Sequence, residues 1–216
     1  MRYSSTPKCL MRTAARTQQN RNLEFRSEIC YNSAMNALTL VHSIISSTVK
    51  KGDTCIDATA GRGYDTAFLC GLVGESGRVV AFDIQQDAID STNKLLAERG
   101  LKAEVVHRSH EFMAEYAESE SVSAIVFNLG YLPGGNHTIF THADSSIRAI
   151  TAGLELLRHG GIMCVSIYHG GATGYEERDA LLEWLKELDT EKYQVLVVRF
   201  HNWKKDPPIP VIIMKF

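Results

Sequence analysis

The sequence predicts an α/β fold with a seven-stranded, mostly parallel sheet, and three observations carry that prediction. Short apolar runs ending in Asp, Asn or His alternate with stretches of helical period from residue 54 onward. The last two apolar runs are separated by a proline-rich link too short for a helix. At 216 residues, 44% hydrophobic and 22% charged, the chain can bury one core of this kind but is short for two.

Ala37, Leu38, Leu40, Val41, Ile44, Ile45 and Val49 recur at helical spacing, so a helix opens the folded domain, which is expected to run over 35–216. Beyond Lys51-Gly52-Asp53, strands are predicted over 54–59, 78–84, 103–107, 124–129, 162–168, 193–200 and 211–216. Helices are predicted between the first five of these, over 65–72, 86–99, 111–117 and 144–157, and over 175–188 before the sixth. Strands joined through helices lie parallel, with right-handed crossovers that place helices on both faces. The link over 201–210 contains Pro207, Pro208 and Pro210 and leaves no room for a crossover, so the final pair is antiparallel. Seven strands with one antiparallel strand near the C-terminus resemble the Rossmann-like class I methyltransferase fold.

Composition and charge exclude several classes. No apolar run approaches the ~20 residues that span a bilayer, so no membrane attachment is expected. Cys9, Cys30, Cys55, Cys70 and Cys164 form no C-x-x-C pair and read as small buried hydrophobes of a reducing compartment. His107 and His110 lack the further ligands of a metal site, so no metal is expected. Residues 1–34 hold six Arg or Lys against two acids, which leaves 17 against 23 in the remainder. Such an acidic body does not coat nucleic acid through a broad basic face, although it can recognise one exposed nucleotide. The basic, Ser- and Thr-bearing segment 1–34 reads as a disordered tail or an upstream start, which makes the protein cytoplasmic. The same composition also suits a transit peptide to a plastid or mitochondrion. The sequence leaves the oligomeric state open, a homodimer included.

Three strand ends point to a nucleotide-like cofactor. Asp57 closes the first strand, Gly61 and Gly63 follow in a turn, and a helix begins near Asp65. Glycine allows close backbone approach, and a helix start offers free N–H groups. A dinucleotide fingerprint wants glycine at position 66, where Thr66 stands, so NAD and FAD are disfavoured. Asp83, followed by Gln85, ends the second strand 20 residues beyond Gly63, where such folds hold ribose hydroxyls. S-adenosyl-L-methionine needs the same ribose contact, and its sulfonium suits an acidic turn made by Asp57 and Asp65. Ser109 and His110, after the third strand, stand where an adenine edge is commonly read.

The fourth strand runs into Asn128-Leu129-Gly130-Tyr131-Leu132-Pro133. Amino-methyltransferases carry an Asn/Asp-Pro-Pro-Tyr type loop there, because a nitrogen nucleophile needs acceptors for its N–H bonds and an aromatic wall. Asn128 with a following backbone carbonyl is the expected acceptor, and Tyr131 the expected wall. Tyr168-His169-Gly170-Gly171 and His201-Asn202-Trp203-Lys204-Lys205 should gather on the same edge, where Trp203 could stack on a base and Lys204 meet a phosphate. An aliphatic ammonium must lose a proton before it attacks, and His169 and Tyr131 are the candidate bases.

Together, Asp57-Ala58-Thr59-x-Gly61-x-Gly63-x-Asp65-Thr66, Phe82-Asp83-Ile84-Gln85, Ser109-His110, the block from Phe127 to Gly135, Ile167-Tyr168-His169-Gly170, and Asn202 with Pro207-Pro208 resemble one family. It is the "putative rRNA methylase" family of S-adenosylmethionine-dependent methyltransferases, matched from about residue 36 to the C-terminus. Its bacterial members look like tRNA 5-aminomethyl-2-thiouridine methyltransferases. The resemblance implies methyl transfer to the aminomethyl nitrogen of wobble uridine 34, with the anticodon stem-loop of a tRNA as partner. It implies a cofactor set of Asp57, Gly61, Arg62, Gly63, Asp65, Asp83, Gln85, Ser109, His110 and Asn128. It also implies a substrate set of Leu129, Gly130, Tyr131, Pro133, Tyr168, Asn202, Trp203 and Lys204, with Asn128, Tyr131 and His169 catalytic.

Four positions depart from the family: Arg62 stands where Asn is usual, Tyr64 where Asn or His is usual, and Trp203 and Lys205 where Gln and Asn are usual. The alternatives are an rRNA or small-amine methyltransferase, and a non-enzymatic RNA- or cofactor-binding module. Asp83 and Asn128, both present, argue against the last.

Overall fold

Asn36 starts the first helix through a reciprocal cap. Its side chain accepts the Thr39 N–H at 2.9 Å while Thr39 Oγ1 accepts the Asn36 N–H at 2.9 Å. The computed structural model describes residues 35–130, 143–169, 174–203 and 206–216, so the segment 1–34 lies outside the described residues. The elements are α1 (Ala37–Thr48), β1 (Thr54–Asp57), α2 (Tyr64–Val73), β2 (Arg78–Asp83), α3 (Gln86–Arg99), β3 (Glu104–His107), β4 (Val122–Leu129), α4 (Ala143–Leu156), β5 (Leu157–Ile167), α5 (Gly174–Trp184), β6 (Tyr193–Val197) and β7 (Ile209–Lys215). Among these residues no helix is long and apolar enough to cross a membrane.

The strands form one sheet in the order β3-β2-β1-β4-β5-β7-β6. Every neighbouring pair is parallel except those made by β7, which runs antiparallel to both β5 and β6. The single reversed strand expected from the short 201–210 link is therefore β7.

Alternation along the strands builds two cores. Ile56, Val80, Phe82, Ile125, Phe127, Val165 and Ile213 face one side, where they meet Ile150 and Leu154 of α4 and Leu181 of α5. Their chain neighbours Cys55, Val79, Ala124, Val126, Cys164 and Ile212 face the other, against Val41 and Ile45 of α1, Leu69 and Val73 of α2 and Leu96 of α3. Central strands buried on both faces show continuous apolar runs, as β4 does in Val122–Leu129.

Some elements differ from expectation, each for a local reason. The helix expected over 111–117 is a single 3₁₀ segment, His110–Glu115, capped by Ser109, whose Oγ accepts the Glu111 N–H at 3.4 Å. So short a segment does not repay α-helix nucleation. β1 stops at Asp57 because the Asp57 carboxylate accepts the Thr59 N–H at 3.2 Å and turns the chain. β5 begins early, straight out of α4, across a bulge facing Val122. Glycine is required there, since a Cβ on Gly161 would lie 2.8 Å from the Arg158 carbonyl oxygen and 3.0 Å from that of Val122.

The chain moves from β1 outward through β2 to β3, then returns to pair β4 against the other edge of β1. This reversal opens a crevice beyond the C-terminal ends of β1 and β4, where open α/β sheets bind ligands.

Phe82 is fully buried and meets Tyr116 edge-to-face at 5.1 Å between ring centroids. Phe82→Ala should cost about 3–5 kcal/mol, read from urea unfolding. A loss below ~1 kcal/mol would mean that this packing is not a determinant of the fold.

Candidate active site

Asp57 lies at the base of the crevice and is fully buried. Its carboxylate accepts the Thr66 hydroxyl at 2.6 Å and the Thr59 N–H at 3.2 Å. Burial pushes this carboxyl up to about 7, and the nearby charges of Asp65 and Asp83 push in the same direction. Asp57 thus organises the turn from beneath it.

Asp65, in the first turn of α2, is 8% exposed and joins three elements. One carboxylate oxygen meets His42 Nε2 of α1 at 2.6 Å, and the other accepts the Asn128 side-chain amide of β4 at 2.7 Å. A carboxylate only accepts, so the amide nitrogen must face Asp65, and Asn128 Oδ1 is the free end of that side chain. The main chain of Asn128 is fixed as well, since its N–H donates to Thr59 Oγ1 at 2.7 Å. His42 is held by stacking on Phe68, with ring centroids 3.7 Å apart and planes 7° from parallel.

Asp83 ends β2 with its carboxylate held by the Gly61 N–H at 3.0 Å and the Gln85 N–H at 2.9 Å. Two of roughly four lone-pair positions are so occupied, which leaves acceptors for a pair of hydroxyls. The Gly63 N–H donates to the Ala60 carbonyl at 2.8 Å. Gly63 itself has φ 82°, and a Cβ there would lie 2.9 Å from Thr92 Cα, so it lets α2 and α3 approach closely. Gly61 and Gly63 therefore offer no free N–H nest for a pyrophosphate. Arg62 reaches away to Ser91 Oγ at 3.0 Å.

With Asp57, Asp65 and Asp83 in one crevice, the surroundings repel phosphates and favour a cation. A ribose-bearing sulfonium compound fits this donor set. Asp83 would hold its ribose, and the Asp65 carboxylate would face its cationic end.

The β3 end contributes His110, whose Nδ1 lies 3.1 Å from the Ala58 carbonyl. Burial lowers its pKa, so the neutral ring donates from Nδ1 and keeps Nε2 as an acceptor. The Ser109 hydroxyl is engaged with Glu111, donating to its carboxylate at 3.1 Å. Leu129 is buried, and its carbonyl accepts the Tyr168 N–H at 2.9 Å. A Cβ on Gly130 would stand 3.0 Å from Tyr168 Cβ, so the two loops touch. Burial and then the charge of Asp65 push the Tyr168 phenol, just past the end of β5, up.

His169 lies apart from that cluster. Its Nδ1 is 3.4 Å from the Ile167 carbonyl, its ring packs edge-on to Tyr175 at 5.8 Å, and it lines a cavity with Trp203 of the β6–β7 link. Asn202 is exposed beside Trp203. Tyr131, Pro133 and Lys204, with Gly170, Gly171 and Lys205, lie outside the described residues. His42, Thr59 and Thr66 were missed as site residues. Thr59 and Thr66 belong to the Asp57–Thr66 motif, but the only signal for His42 is one polar ring beside Val41 within an apolar helical stripe. Cys55, Cys70 and Cys164 are buried, with thiols pushed up to about 12, 11 and 12, chiefly by that burial.

The Asp57 carboxyl titrates near 7 when folded and near ~3.9 when unfolded. Between those values the folded state holds more protons, so the Asp57 contribution is full below ~pH 4 and lost as pH rises through about 7. Asp57→Asn can still accept the Thr59 N–H through its amide oxygen and donate from its amide nitrogen to Thr66 Oγ1, without a charge. The stability of wild type relative to this variant should fall steadily from ~pH 4 to ~pH 7 in urea titrations. A constant difference would contradict the assignment.

Comparison with known proteins agrees with this geometry. The family model described as "Putative rRNA methylase" matches residues 79–214. A second model, protein-L-isoaspartate(D-aspartate) O-methyltransferase, matches residues 13–127 and stops one residue before Asn128, so it covers the cofactor half alone. The chloroplastic tRNA (mnm5s2U34)-methyltransferase of Arabidopsis thaliana is 38% identical over 191 residues, which cover 83% of this chain and 69% of the relative. A crystal structure described as a "putative rRNA-methylase" from Clostridium thermocellum is 45% identical with a TM-score of 0.82, covering 85% of this chain and 100% of that one. A methyltransferase structure from Streptococcus mutans in complex with SAH is 32% identical with a TM-score of 0.77, over 85% and 100% of the two chains. The chain thus belongs to the "Putative rRNA methylase" family and is an S-adenosylmethionine-dependent methyltransferase.

Proposed function

We propose that this protein methylates the 5-aminomethyl nitrogen of wobble uridine 34 in a tRNA, with the anticodon stem-loop as its macromolecular partner. The observation that carries the reading is the 2.7 Å bond from the Asn128 amide to Asp65, which leaves Asn128 Oδ1 to accept an N–H of the nucleophile. The name of the Arabidopsis relative supports tRNA as the substrate and U34 as the position.

S-adenosylmethionine, when bound, supplies the methyl group from its sulfonium. The residues of this chain position and desolvate the amine. Asn128 Oδ1 accepts one of its hydrogens, so that the lone pair faces the crevice. Tyr168 supplies an aromatic wall beside Gly130, where Tyr131 is expected to join it. The amine must arrive neutral or lose its proton in place. His169 is the candidate acceptor: with Nδ1 turned to the Ile167 carbonyl, Nε2 carries the free lone pair.

The chloroplastic relative also supports a transit-peptide reading of residues 1–34. A fluorescent protein fused behind that segment and found only in the cytosol would remove it.

Purified protein, S-adenosylmethionine and tRNA carrying 5-aminomethyluridine should give methylated nucleoside. Asn128→Ala should lower kcat by about 100-fold or more. Cofactor Kd should stay within about tenfold, because the lost acceptor serves the amine. Turnover of the variant at the wild-type rate would overturn the role of Asn128. Methylation of rRNA but not tRNA would replace the substrate while keeping the enzyme class.

A further inference from the structure

The β6–β7 link borders an open cavity of about 260 Å³ that none of Asp57, Asp65, Asp83 and Asn128 lines. Its wall combines aromatic rings with charged groups of both signs, the Asp206 carboxylate among them. Trp203, 43% exposed, lies against Phe200 with ring centroids 5.0 Å apart and planes tilted by 33°. Arg178 and Arg199 supply positive charge on the same wall. Arg178 is steadied by Asp179 at 2.7 Å and by the Tyr175 ring, 4.9 Å from its guanidinium carbon. Arg199 makes no ion pair within 4 Å among the described residues, and its charge is felt by Asp179.

The topology sets this cavity beside the chemistry. Leu129 of β4 is level with Ile167 of β5, and Ile167 is level with Ile209 of β7. Because β7 runs antiparallel, its first residue lies at the same sheet edge as the last residues of β4. Two strand spacings separate them, roughly 10 Å. His169, two residues past Ile167, lines the cavity.

We propose that this cavity is a second RNA subsite, which takes the base and phosphate of a single-stranded nucleotide next to the one being methylated. The inference rests on the reading of the protein as an RNA methyltransferase. An exposed ring backed by a second ring offers the face on which an unstacked base lies. The Arg199 guanidinium on the same wall can hold a phosphate with two parallel N–H bonds.

The test is fluorescence anisotropy of a fluorescein-labelled heptaribonucleotide with the anticodon-loop sequence, using the full chain and no turnover. Trp203→Ala and Arg199→Gln should each weaken binding by about tenfold, and Trp203→Phe should retain most of it. Arg199→Gln should also reduce the slope of log affinity against log salt by about one contact. Failure of the wild type to bind, or equal affinities and slopes in all four proteins, would overturn the subsite. Trp203-dependent binding without methylation of U34 would sink the proposed reaction and leave the subsite standing.

Discussion

The Asp65 carboxylate, enclosed between His42, Asn128 and the first turn of α2, is the constraint around which the site is arranged. A buried carboxylate is costly unless charge-assisted hydrogen bonds surround it. Here those bonds come from three separate elements. α1 must dock to bring His42, β4 must end where it does to bring Asn128, and the glycine turn must place the start of α2 between them. The fold therefore cannot satisfy Asp65 without also orienting the Asn128 amide.

Electrostatics explains the choice of ligand more than shape does. Asp57, Asp65 and Asp83 crowd one crevice, and the rise of the Asp57 carboxyl to about 7 shows how strongly burial and its neighbours oppose charge there. Such crowding weakens the empty protein, and a cation entering the crevice relieves it. A phosphate would add to it. The same glycine turn that cradles pyrophosphate in dinucleotide enzymes has its Gly61 and Gly63 N–H groups engaged by Asp83 and Ala60, so the motif is converted from an anion site into the floor of a cation site.

Much of this was legible in the sequence because strand ends are local. Asp57, Asp83 and Asn128 each close an apolar run, and regular alternation of strand and helix brings such ends to one edge. The reversed β7 was legible from Pro207, Pro208 and Pro210, which forbid a crossover helix. What escaped depends on tertiary proximity or on fine local energetics. His42 is 23 residues from Asp65, and no spacing rule connects a ring on the leading helix to the first turn of the next one. The turn at His110–Glu115 has helical residues but too few of them to form an α-helix. Arg199 and Phe200 were read as the tail of a strand that ends at Val197, and only the closing of the β6–β7 link sets them beside Trp203.

Nucleoside mass spectrometry of tRNA tests the central claim, that the Asp65-held amide of Asn128 presents an amine on wobble uridine 34. Cells lacking the gene, restored with wild type or with Asn128→Ala, provide the comparison. The account predicts that unmethylated 5-aminomethyluridine accumulates in the null strain and with the variant, and disappears with wild type. Full methylation in the null strain, or full restoration by Asn128→Ala, would contradict it.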